Sequence, residues 1–86
     1  MQVTVKLFAI FQEIFFQETL DHGEMTLDLP SGAEVAAVFA ALVAKEPNLQ
    51  KWESVVRYAV NLEFVSPRTL LQDGDVVALI PPVSGG

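Results

Sequence analysis

From its second residue the chain alternates. Val3, Val5 and Leu7 are apolar, and Thr4 and Lys6 between them are polar. A period of two places successive side chains on opposite faces of an extended segment, so this stretch predicts a half-buried strand. Ile10 and Ile14 then fall four apart with Gln12-Glu13 between them, which predicts a short helix. Asp21-His22-Gly23-Glu24 reads as a turn. Met25, Leu27 and Leu29 alternate with Thr26 and Asp28 as a second strand, making a hairpin-like pair around the first segment.

Pro30 ends that strand, and the pattern changes period. Val35, Val38, Phe39 and Leu42 fall at i, i+3, i+4 and i+7, one stripe of an amphipathic helix. Alanines at 36, 37, 40, 41 and 44 raise its propensity without adding bulk. Ser31 and Glu34 have the spacing of a capping box, which predicts the start of the helix. Pro47 closes it, because the residue before a proline is driven out of helical geometry. Leu49 and Trp52, three apart, suggest a single turn packed under the helix.

Alternation then returns. Val56, Tyr58 and Val60 interleave with Arg57, Ala59 and Asn61 as a third strand. Asn61-Leu62-Glu63 is expected to turn into a short strand at Phe64-Val65, although leucine resists the positive φ that tight hairpins need. Asp73-Gly74-Asp75 is a firm turn. Val76 to Ile80 is almost continuously apolar, the mark of a central strand covered on both faces. The order of elements predicts an α+β domain, one long helix laid across one face of a small mixed sheet. No linker or repeat divides it, so residues 1–80 form the body and residues 81–86 a tail.

Composition narrows the function classes. The 86 residues are 51% hydrophobic and 19% charged, with a net charge of −6 and no cysteine. The lack of clustered cations argues against a chain that binds a nucleic-acid backbone itself. Disulfides, thiolate metal sites and a cysteine nucleophile are excluded outright. His22 is the only histidine and sits in a polar turn, so neither a histidine metal site nor a Ser-His-Asp triad can be assembled. No phosphate-cradling glycine motif is present, so the chain is expected to bind no cofactor of its own. The longest apolar run, Val76 to Val83, is too short and too proline-broken to span a bilayer, and the N-terminus lacks the greasy segment of a signal peptide. A cytoplasmic protein with no membrane partner is the expectation.

What remains is the end of the chain. Pro81 and Pro82 cannot donate to a sheet ladder and favour a stiff extended exit from the last strand. Val83 and Ser84 follow, then Gly85 and Gly86, which carry no side chains. At about 3.3 Å per residue the last four residues reach roughly 13 Å. So slender an arm can thread a channel that any β-carbon would block. Its terminal carboxyl, with a pKa of about 3.5, is anionic at neutral pH and able to attack a phosphorus centre held by another protein.

The string from Leu71 to Gly86, with Gln72-Asp73-Gly74-Asp75 and Pro81-Pro82-Val83-Ser84-Gly85-Gly86, resembles the C-terminus of the MoaD/ThiS sulfur-carrier family, and of its MoaD group most of all. The opening Val3-Thr4-Val5-Lys6-Leu7-Phe8-Ala9 and Glu13-Ile14 are similar to that family's first strand and helix. The resemblance implies a ubiquitin-like β-grasp, in agreement with the order of elements. It also implies that Gly86 is adenylated by an ATP-dependent activating enzyme of the MoeB/ThiF kind and converted to a thiocarboxylate. The charged tail would then enter the large subunit of molybdopterin synthase, a MoaE-like partner, and give its sulfur to cyclic pyranopterin monophosphate. ATP would belong to the activating enzyme. Two places depart from the family pattern. Gln12 and Phe15-Phe16 stand where many members have an Arg and then a Gly around the first helix, and Leu62 stands where relatives often have the Gly of Asn-Gly-Glu.

A mean hydropathy of +0.39 is high for so small a domain. Some apolar residues must stay outside, and exposed apolar patches mark interfaces. Phe8, Phe64 and Leu79, near the sheet edge or the exit of the tail, are the candidates for a partner surface. Other acceptors of the same chemistry stay open: thiamine thiazole, a thiolated tRNA, or a protein lysine. So does a β-grasp binding module whose glycines are incidental.

Overall fold

The computed structural model describes residues 1–15 and 23–82. Among the described residues, five strands and two α-helices follow in the order β1 (Gln2–Leu7), α1 (Ile10–Ile14), β2 (Glu24–Asp28), α2 (Ala36–Lys45), β3 (Arg57–Val60), β4 (Glu63–Val65) and β5 (Val76–Ile80), with a 3-10 helix at Pro47–Trp52 between α2 and β3. The strands form one mixed sheet in the order β2-β1-β5-β3-β4. β1 runs parallel to β5, and all other pairs are antiparallel. This is the expected α+β architecture, a ubiquitin-like β-grasp. Asp21 and His22 of the first predicted turn lie outside the described residues, as do Val83 to Gly86.

The core lies between α2 and one face of the sheet. Val35, Val38, Phe39 and Leu42, the predicted stripe, are all buried, against Val3, Val5 and Leu7 of β1 and Val77 and Leu79 of β5. The parallel register of β1 and β5 sets Val5 beside Val77 and Leu7 beside Leu79, so the two strands send the same parity inward. Glu46 is extended at φ −140 ahead of Pro47, which is where the helix was expected to end. The single turn expected around Leu49 and Trp52 is a six-residue 3-10 helix that buries Leu49. Phe11 meets Trp52 edge to face at 5.7 Å and so ties α1 to this segment.

The predicted capping box does not form. Ser31 and Gly32 make a turn, with Gly32 at φ 83, and α2 begins only after Val35, with no side-chain cap. Carbonyls from the distant 67–70 loop take the place of Ser31: Val35 N–H donates to Thr69 O at 2.8 Å and Ala36 N–H to Pro67 O at 2.9 Å. Glu34 is held in a bridge to Leu70 and pairs its carboxylate with Arg68 at 3.7 Å. The free amides at the helix start were satisfied through tertiary structure, which a four-residue motif cannot register.

β5 is central but covered on one face only. Val76, Ala78 and Ile80 point away from α2 and are only half-buried. Its apolar run therefore marks an open apolar face and not a second packed layer.

Candidate functional site

β5 passes from the middle of the sheet directly into the tail. Ile80 pairs with Arg57 of β3, and Pro81 and Pro82 then end the ladder, Pro81 half-buried and Pro82 exposed. Two hollows flank this root. One, of about 670 Å³, is lined by Phe8, Ala9, Ile10 and Trp52; the other, of about 640 Å³, lies toward Val55, Arg57 and Phe64. Ile80, Pro81 and Pro82 line both, so the tail leaves from a ridge between two largely apolar depressions.

The outward face of the sheet divides into two parts. On β1 and β2 it carries Thr4, Lys6, Glu24, Thr26 and Asp28, with Lys6 Nζ 3.7 Å from Glu24 Oε2. On β5, β3 and β4 it carries Val76, Ala78, Ile80, Ala59 and Phe64, bounded by Phe8, with the exposed Arg57 opposite Ile80. Ala59 is buried although it points away from the helix, because Phe64 stands directly opposite it in the register.

Of the three residues expected at a partner surface, two are exposed: Phe8 at 45% and Phe64 at 67%. Leu79 is not. It is 1% exposed and packs on the helix side, because it shares the parity of Val77 and the register of Leu7. Ile80, one residue on, is the side chain of β5 that faces outward beside the tail. Its signal was the alternation of β5, masked by the absence of any polar residue from Val76 to Ile80. Of the tail-positioning residues, Pro81 and Pro82 stand where the sequence put them, at the end of β5; Val83, Ser84, Gly85 and Gly86 lie outside the described residues.

The site brings little chemistry of its own. Among the described residues no group of histidines or acids could hold a metal ion, and no helix is long and apolar enough to cross a membrane. Asp73 and Asp75 act as turn residues: Asp73 Oδ1 accepts from Gln2 N–H at 2.7 Å, and Asp75 Oδ2 accepts from Gln72 N–H at 2.8 Å. Burial, aided by the nearby Glu53 carboxylate, pushes the Tyr58 phenol above its ordinary value and keeps it neutral.

A family profile described as the ThiS family matches residues 5–86. The chain belongs to the ThiS family. Within it, the chain is 36% identical over 88 residues to the molybdopterin synthase sulfur carrier subunit of Chlamydomonas reinhardtii, covering 100% of both chains. It is 34% identical to the subunit of that name from Arabidopsis thaliana, covering 100% of this chain and 84% of that one. Among solved structures, the putative molybdopterin converting factor subunit 1 of Pyrococcus furiosus is 30% identical with a TM-score of 0.78, over 95% of this chain and 98% of that one. The small archaeal modifier protein 1 of Methanosarcina acetivorans is 30% identical with a TM-score of 0.75, over 99% and 96%. A complex of subunits 1 and 2 of the molybdopterin-converting factor from Helicobacter pylori matches at 26% identity and a TM-score of 0.61, over 100% of both chains. This ThiS-family chain thus has an outward sheet face that is polar on β1 and β2 and mainly apolar on β5, β3 and β4.

Proposed function

We propose that this chain is the sulfur carrier subunit of a molybdopterin synthase, with Gly86 as the residue that is charged. The observation that carries the reading is the passage of β5 from the centre of the sheet into Pro81-Pro82, at the border of an uncovered apolar face, in a chain that finishes Gly85-Gly86. The full-length relatives of that name support it. An activating enzyme joins the Gly86 carboxylate to AMP from ATP, releasing pyrophosphate; the carboxylate is a poor acylating group, and the mixed anhydride has a good leaving group. Sulfur from a donor then displaces AMP and leaves a thiocarboxylate. The large subunit takes the charged tail, and the sulfur passes to cyclic pyranopterin monophosphate with the carboxylate restored by water. Pro81 and Pro82 hold the arm out, Val83 and Ser84 continue it, and Gly85 and Gly86 leave room in the channel.

In this reading Phe8, Phe64 and Ile80 form the surface on which the large subunit rests while the tail is inside it. The Helicobacter pylori neighbour, solved as a complex of two subunits, supports such a partner. The work is done in the cytoplasm, where ATP is at hand.

The test is the intact mass of the purified chain after incubation with its activating enzyme, ATP and a sulfur donor. A gain of about 16 Da, one oxygen replaced by sulfur, is expected, and the gain is lost when Gly86 is deleted. An unchanged mass with an active enzyme contradicts the reading. A covalent adduct to protein lysines, in place of sulfur transfer to the pterin, would instead make the chain a modifier.

A further inference from the structure

The hairpin tip between β3 and β4 combines two features that work against the fold. Asn61 and Leu62 both take positive φ, 49 and 74, as the central residues of a type I′ turn do. Asparagine and glycine suit that conformation, whereas a leucine sets its Cβ against the neighbouring carbonyl. Leu62 is also 98% exposed, so no packing within the chain offsets that strain.

The strained conformation is firmly mounted. Asn61 N–H donates to Val76 O at 2.9 Å, Val76 N–H donates to Asn61 Oδ1 at 3.0 Å, and Asn61 Nδ2 donates to Asp75 Oδ1 at 3.0 Å. These bonds lash the tip to the start of β5. A side chain on such a bracket loses less freedom on binding than one on a loose loop.

Leu62 also belongs to the face already described. With Phe8, Phe64, Ala78 and Ile80 it lines one hollow of about 600 Å³, and Ile80 leads into the tail. A partner that takes up the tail must rest on Ile80. An interface of ordinary size covers about 800 Å² on each side, about 30 Å across if round. The molecule measures 35 × 26 × 23 Å, so one footprint holds both the tail root and the hairpin tip.

We propose that Leu62 is a docking anchor whose side chain enters an apolar recess on the large synthase subunit, pre-set there by the Asn61 bracket. The inference rests on the carrier reading and adds to it a residue that sets how the sheet is seated. Removal of Leu62 from water happens only in the complex, which is why a leucine is held in a place that suits glycine.

Two measurements on the full chain test this together: the affinity for the large subunit of the same organism's synthase, by calorimetry, and the Tm of the free chain. Leu62→Asn and Leu62→Gly are expected to raise Tm, because both suit positive φ, and to weaken binding about tenfold or more. Leu62→Met keeps the apolar contact and is expected to bind within about threefold of the parent. A residue that served the turn alone would not give stability and affinity changes of opposite sign. Asn and Gly variants that bind within about twofold of the parent overturn the anchor. A parent chain that fails to bind the large subunit at all overturns the carrier reading and the anchor with it, so the two failures are told apart.

Discussion

The outward face of the sheet has two halves built on the same backbone ladder and finished in opposite ways. On β1 and β2 the outward positions are Thr4, Lys6, Glu24, Thr26 and Asp28, a surface complete in water. On β5, β3 and β4 they are Val76, Ala78, Ile80, Ala59 and Phe64, a mainly apolar surface with the exposed Arg57 at its tail end. Nothing in the fold requires the difference, because α2 covers only the other side. The tail leaves from the apolar half, and under the carrier reading proposed above one half is finished by solvent and the other by the large subunit.

The sharpest way to test the division is to cut residues that serve different sides of the sheet. Leu79→Ala empties a core position and is expected to lower stability by about 2–5 kcal/mol in urea denaturation. Phe64→Ala, on the open side, is expected to change stability by less than about 1 kcal/mol and to weaken binding to the large subunit at least tenfold, read by calorimetry. If Phe64→Ala behaved like Leu79→Ala, the apolar half would be ordinary core.

An intermediate effect concerns Tyr58, whose phenol is raised from 10.0 by burial first and by Glu53 second. Above pH 10 the unfolded chain gives up this proton before the folded one does, so the folded state holds more protons and stability falls as pH rises. The contribution is whole below the unfolded value and is lost as pH climbs through the folded one. Tyr58→Phe is expected to flatten that decline in denaturation midpoints taken across alkaline pH. An equally steep decline in the variant would place its source elsewhere.

The smallest effect belongs to the polar half. The exposed Lys6–Glu24 pair at 3.7 Å is expected to contribute about 0.2–1 kcal/mol, and less in high salt. Glu24→Ala breaks the pair and leaves in place Lys6, which lines the hollow shared with Phe64; it is expected to leave both Tm and partner affinity nearly as they are. A large loss of affinity would extend the docking surface to β2.

The division also explains which parts of the molecule were legible in the sequence. The stripe Val35, Val38, Phe39 and Leu42 was plain because one face of α2 is apolar and the other is not. β1 and β2 were plain for the same reason at period two. β5 was misread as doubly covered because five consecutive apolar residues look alike whether the second face meets a helix or another protein. The same uniformity hides its parity: Leu79, a candidate for the partner surface, lies inward, and Ile80 lies outward. The capping box failed for a different cause: the amides of Val35 and Ala36 are met by Thr69 and Pro67, more than thirty positions away, and no local pattern announces that. The strained turn at Asn61-Leu62 was half legible. Its place was clear, but the leucine argued against the positive φ that it adopts.

The most direct measurement is the set of backbone amide shifts of the isotopically labelled chain as the unlabelled large subunit is added. The account predicts that changes gather at Phe8, at Asn61 to Phe64, at Ile80 and along the tail, while Thr4, Thr26 and Asp28 stay still. Changes centred on β2 or on the exposed side of α2, with Phe64 and Ile80 silent, would contradict it.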